Sequence, residues 1–189
     1  MGGRWLQVAE YEHECKHGKR KDTPFVVVEL GTYIGYSTSR MASLMPGNSA
    51  SYTMEFTKER QDVATQLVAM AQPLPANVEF MLAKATDRIS KLGHMGVKAD
   101  FVFVDHNKDD YYASILKLES EGLLHRGSLV VADDIRRAAE TLKLPVVATY
   151  LSHARGSGLY NTAAIDDFFQ AYTFSEDAGR SPDSMEVPI

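Results

Sequence analysis

The chain has 189 residues and a mass of 21.0 kDa, a length that fits one domain, residues 1–189, around a single core. Its 20 Lys and Arg against 25 Asp and Glu give a net charge of −5, which argues against a dedicated nucleic-acid binder. The longest apolar runs, Phe25–Val28 and Phe101–Val104, fall far short of the ~20 residues of a membrane span.

The first residues, Met-Gly-Gly-Arg-Trp, carry no apolar h-region, and the lone Cys15 excludes an intramolecular disulfide. The expectation is a cytoplasmic protein. A short helix over about Trp5–Cys15 runs into the polar stretch Lys16–Thr23, which cannot be core. Phe25–Leu30 is β-branched and nearly all apolar, bounded by Pro24 and Gly31. It reads as a strand buried on both faces, as in a parallel sheet. Helical spacing over Ser37–Met45 ends at Pro46-Gly47, and a short strand follows over Ala50–Met54. A helix is predicted over Thr57–Ala71, where Thr57 with Arg60 supplies half a capping box. Next come a strand over Val78–Leu82, a helix over Asp87–Leu92, a strand over Phe101–Val104 and a helix over Tyr111–Glu121. Ser128–Ala132 is the fifth strand, Val146–Ala154 a helix and Asp183–Ile189 a terminal strand, with Gly156–Pro182 unassigned. This β-α alternation predicts an α/β fold, a doubly wound, mostly parallel sheet with helices on both faces.

In such sheets ligands bind at the carboxyl ends of the strands, near the point where strand order reverses. After the first strand comes Glu29-Leu30-Gly31-Thr32-Tyr33-Ile34-Gly35-Tyr36-Ser37. Its two glycines permit a tight turn and close approach of backbone to a ligand. The spacing is GxxxG, so the segment is neither a P-loop nor the dinucleotide GxGxxG. Glu55 ends the second strand, 20 residues beyond Gly35, where a carboxylate can accept both hydroxyl hydrogens of a ribose. Together, glycine loop and acid point to a nucleoside-containing ligand, against the alternative of an ordinary turn and a solvated Glu. Asp105 follows the fourth strand; Asp133 and Asp134 follow the fifth. Three carboxylates at one end of the sheet repel unless a cation lies between them, and a hard divalent ion such as Mg²⁺ suits oxygen ligands. The competing reading makes them helix N-caps. His13-Glu14-Cys15-Lys16-His17 matches HExxH, but it runs directly into a polar stretch without a core to support it. It reads as a surface helix end.

The segments Val27–Thr38, Asp105-His106-Asn107-Lys108-Asp109-Asp110-Tyr111 and Gly122–Asp134 resemble catechol O-methyltransferases, in the same order. The resemblance spans about Val26 to Gly156, resuming near Asp183. It implies a Rossmann-like class I methyltransferase fold, S-adenosylmethionine as cofactor, Mg²⁺ as metal and a small catechol-type molecule as acceptor. Glu29, Gly31, Tyr33 and Ser37 would line the amino-acid end of the cofactor. Glu55 would hold the ribose and His106 would border the adenine, with Gly35, Phe56, Ala85 and Asp105 also contacting the cofactor. Asp105, Asp133 and Asp134 would bind Mg²⁺. Lys108 would be the general base, and Lys108 and Asp134 would meet the substrate. The chain departs from the family at Asn107, which replaces a Trp, and at Ala83-Lys84-Ala85, which replaces Gly-Ala-Ser. It also carries Asp134 where the animal enzymes have Asn. The family's helices ahead of the glycine loop have no clear match. Trp5 is the candidate substitute for their aromatic wall, while Glu176 and Asp177 are candidates for a C-terminal substrate carboxylate. Two alternatives stay open: a methyltransferase-like protein that binds cofactor without turnover, and a nicotinamide oxidoreductase, which the glycine spacing disfavours.

Overall fold

A computed structural model describes residues 24–71, 73–74, 76–135, 137–169 and 181–188. The predicted helix over Trp5–Cys15, the His13–His17 motif, Glu176 and Asp177 lie outside them. The elements in chain order are β1 (Val26–Leu30), α1 (Tyr36–Ala42), β2 (Ala50–Glu55), α2 (Lys58–Met70), β3 (Asn77–Leu82), α3 (Ala85–His94) and β4 (Ala99–Val104). A 3₁₀ turn (Lys108–Asp110) leads into α4 (Tyr111–Ser120), then β5 (Leu124–Ala132), a π-helical turn (Arg137–Thr141), α5 (Pro145–Gly156), β6 (Thr162–Phe169) and β7 (Ser181–Pro188).

The strands form one sheet in the order β3-β2-β1-β4-β5-β7-β6. The first five are parallel, and β7 runs antiparallel to both β5 and β6. After β1 the chain winds outward through β2 to β3, then crosses back to lay β4 against the other side of β1. That reversal separates the loops after β1 and β4 and opens a crevice at their carboxyl ends.

Residues alternate between two cores, as strand periodicity requires. Val28, Leu30, Val102, Val104, Val130 and Ala132 face Ile89, Leu92, Ile115, Leu118, Val147 and Tyr150 of α3, α4 and α5. Val27, Phe101, Phe103, Leu129 and Val131 face the other way, toward Met41 and Ala42 of α1. Each such aliphatic side chain contributes about 1.5–3 kcal/mol by leaving water. No helix among the described residues is long and apolar enough to cross a membrane.

The predicted elements among the described residues recur with shifted ends, and the early starts of β4 and β5 have local causes. β4 begins at Ala99, two residues early, because Asp100 is accommodated: its Oδ2 accepts the Val26 N–H at 2.8 Å. β5 begins at Leu124 through a register shift against β4, with Gly127 at φ +105. There Ser128 Oγ accepts the His125 N–H (2.8 Å) and donates to the Ala99 carbonyl (2.7 Å). At the start of α2, Thr57 is the N-cap residue without a side-chain cap bond, so the half capping box does not form. The previously unassigned region contributes β6 and the start of β7.

Candidate active site

A cavity of about 640 Å³ opens at the crevice, lined by Gly31, Tyr33, Met54, Glu55, Phe56, Arg60, Ala83, Lys84, Ala85, Thr86, Asp105, His106, Asn107, Asp110 and Ser114. Its first wall is the loop after β1. Gly31 lies at φ +105, and a Cβ there would come within 2.4 Å of the Asp105 carbonyl oxygen. The glycine therefore lets the loop press against the backbone at the end of β4, a tighter requirement than approach to a ligand. Gly35 (φ +84) would set a Cβ 3.1 Å from the Ala64 side chain on α2, so it lies against that helix and does not line the cavity.

Glu55 is 5% exposed, and both of its oxygens are held by main chain. Oε2 accepts the Tyr33 N–H at 3.0 Å and Oε1 the Thr57 N–H at 2.9 Å. A carboxylate has about four lone-pair sites, so two remain for hydroxyl donors in the cavity. Arg60 flanks this carboxylate, with Nη1 4.0 Å from Oε1 and its guanidinium 5.3 Å from the Tyr33 ring centroid.

Glu29 differs from the expectation. It is fully buried beneath the loop and absent from the cavity wall. Ser37 Oγ donates to Oε1, while Thr38 and Thr53 donate to Oε2 at 2.5 and 2.6 Å. Burial pushes the Glu29 carboxyl above its ordinary pKa, and these three hydroxyl donors oppose the shift. Glu29 and Ser37 thus brace each other under the loop.

The opposite wall comes from the end of β4. His106 Nε2 bonds with Ser114 Oγ at 2.9 Å, and its buried Nδ1 has no hydrogen-bond partner. Burial, then the charge of Lys108, lowers the His106 pKa from 6.5 to about 4, so the ring is neutral near pH 7. Asp105 is pushed up to about 7, by burial first and then by the charges of Asp133 and Asp134, with Lys108 opposing. The side chain is 39% exposed, so water screens part of that repulsion. Burial likewise raises Asp133, whose Oδ1 accepts the Asp134 N–H at 2.9 Å. Asp134 takes a left-handed conformation, φ +60, and its carbonyl accepts the Ala138 N–H that opens the next turn. Lys108 Nζ lies 3.5 Å from Asp105 Oδ1.

Seven of the ten predicted cofactor residues line the cavity: Gly31, Tyr33, Glu55, Phe56, Ala85, Asp105 and His106. Asp133, Asp134 and Lys108 stand beside it, coupled to Asp105 by charge. Among the described residues no three His, Cys, Asp or Glu side chains converge on a formed metal site. The donor set nonetheless suits a hard cation, since the charges of Asp133 and Asp134 raise the proton affinity of Asp105 and carboxylate oxygens suit such an ion. Arg60, Thr86 and Ser114 had no signal at the strand ends, because they reach the cavity from helices α2, α3 and α4.

A family model described as O-methyltransferase matches residues 23–141. Catechol O-methyltransferase B of Danio rerio is 34% identical over 156 residues, covering 82% of this chain and 56% of the fish protein. The Sus scrofa catechol O-methyltransferase is 31% identical over 153 residues, covering 80% of this chain and 78% of the pig protein. The Mus musculus protein is covered to 55%, so the chain spans little more than half of several of these relatives. Among solved structures, an O-methyltransferase of tomaymycin synthesis from Streptomyces achromogenes, in complex with SAM, superposes with a TM-score of 0.72 at 20% identity. That match covers 99% of this chain and 78% of the other, and it shows a shared fold.

Proposed function

Because the chain belongs to the O-methyltransferase family, in its catechol O-methyltransferase-like branch, we propose that it is an S-adenosylmethionine-dependent O-methyltransferase acting on a hydroxyl of a small catechol-type acceptor held with Mg²⁺. The observation that carries this reading is the arrangement of the crevice. A carboxylate pinned by two backbone N–H groups stands at one side and a crowd of three carboxylates with a lysine at the other. The relatives named for catechol methylation and the neighbour solved with SAM support the same assignment.

Glu55 offers its two free lone-pair sites to the ribose hydroxyls. Neutral His106, fixed by Ser114, forms the adenine wall with its unpartnered Nδ1 turned to no protein group. Asp105, Asp133 and Asp134 would hold Mg²⁺. When bound, S-adenosylmethionine supplies an electrophilic methyl group and Mg²⁺ a Lewis acid that lowers the pKa of the acceptor hydroxyls. Lys108, as the free amine, would take the acceptor hydroxyl proton at Nζ and so free the oxygen for the methyl group that S-adenosylmethionine would supply. Holding both reactants in one crevice replaces an encounter in solution with a positioned pair.

Calorimetric titration with S-adenosylmethionine and, separately, NAD, each with and without Mg²⁺, tests the cofactor assignment. Binding of S-adenosylmethionine without NAD binding is expected. NAD binding alone would replace this reading with the oxidoreductase.

A further inference from the structure

Lys108 does not line the cavity. Its side chain is 16% exposed and Nζ donates to the Tyr111 hydroxyl at 2.6 Å. Tyr111 is itself fully buried, and its hydroxyl lies 2.8 Å from the Val104 carbonyl and 3.1 Å from the Asp133 carbonyl. A phenol has one proton and two lone pairs. Facing two carbonyls, it must spend its proton on them, which turns a lone pair to the N–H of Lys108 Nζ. The hydroxyl therefore joins the ends of β4 and β5, the strands that present Asp105 and Asp133, to Lys108. The ring is equally constrained, stacking on His106 at 5.1 Å and 13° and meeting Tyr150 edge-on at 5.7 Å.

We propose that Tyr111 is the positioning residue for Lys108, its hydroxyl holding Nζ beside Asp105 so that the lysine meets the acceptor hydroxyl from one fixed direction. A lysine on a four-carbon stem has no such direction of its own. The proposal rests on Lys108 as the proton acceptor. It separates two roles in one residue: the hydroxyl serves the lysine, whereas the ring supports the His106 wall of the cofactor cleft. A purely structural hydroxyl, tying only the strand ends together, would act independently of Lys108.

The test is a double-mutant cycle of Tyr111→Phe and Lys108→Met, read by kcat, by S-adenosylmethionine affinity and by urea unfolding. Losing the hydrogen bond that fixes Nζ should lower kcat of Tyr111→Phe about 10- to 100-fold. Cofactor affinity should stay within about twofold of the parent, since the ring is kept. The double variant should be no slower than Lys108→Met alone, and the two substitutions should be non-additive in urea, a readout that needs no turnover. Tyr111→Leu should weaken S-adenosylmethionine as well, through the lost stack on His106. Parental kcat in Tyr111→Phe beside an inactive Lys108→Met would overturn the positioning role alone. Parental kcat in Lys108→Met would overturn the base assignment and this proposal with it. Additivity in urea would overturn the proposal whatever the acceptor.

Discussion

Glu55→Gln changes one atom of the side chain and removes its charge. Both carboxylate oxygens now accept a backbone N–H, from Tyr33 at 3.0 Å and from Thr57 at 2.9 Å. An amide has a single oxygen, so in either orientation one of these N–H groups faces an NH₂. At 5% exposure, water cannot replace the lost acceptor. A hydrogen bond to a charged group contributes about 1.5–3 kcal/mol, and that is the expected loss of stability in urea. The same substitution removes an acceptor from the ribose hydroxyls, so S-adenosylmethionine should bind about 10- to 100-fold more weakly by calorimetry. The two losses come from different lone pairs and should appear together. A variant with the parental urea midpoint and parental affinity would refute both the pinned-carboxylate geometry and its role at the ribose.

The acids after β5 should prove unequal. Asp134→Asn, at a left-handed φ that Asn tolerates well, removes a negative charge that would oppose ionisation of the acceptor beside the metal; it should weaken Mg²⁺ modestly while kcat at saturating metal stays the same or rises, whereas Asp105→Asn should abolish turnover, and equal inactivity of the two would show that Asp134 is needed as an anion. Gly31→Ala should cost about 2–6 kcal/mol in urea, combining strain at φ +105 with a Cβ driven against the Asp105 carbonyl, and a loss under 1 kcal/mol would show that the loop yields. His106, with its pKa lowered to about 4, binds a proton more readily unfolded than folded between pH 6.5 and 4. Its contribution is therefore present above pH 6.5 and lost as pH falls. The stability difference between the parent and His106→Gln should shrink by on the order of 3 kcal/mol across that window, while a constant difference would show that His106 titrates normally.

Strands buried on both faces were the most legible part of the sequence. Val26–Leu30, apolar except for Glu29, and the continuous apolar run Phe101–Val104 each lie in a central strand with neighbours on either side. Asp100 broke that signal because its partners, the Val26 N–H and His125, are distant in sequence. The start of β5 was hidden by the polar residues around Gly127, where the register shifts. β6 has neither alternation nor an apolar run, since Asp166-Asp167 interrupts it. Residues at the strand ends were found because topology alone places them there. Their partners were not: nothing in the order of residues reveals that Ser37 and Thr38 close over Glu29 or that Arg60 reaches back to Glu55. In the sequence Tyr111 closes the Asp105–Tyr111 motif and opens a helix, with no sign that its hydroxyl links both strand ends to Lys108.

Transfer of a labelled methyl group from S-adenosylmethionine to catechol, followed with Mg²⁺ and again with EDTA, tests the central claim most directly. The account predicts a singly O-methylated product with Mg²⁺, its loss in EDTA, and its return when Mg²⁺ is restored. Cofactor binding without transfer to any catechol-containing acceptor would contradict it, as would transfer that EDTA leaves unchanged.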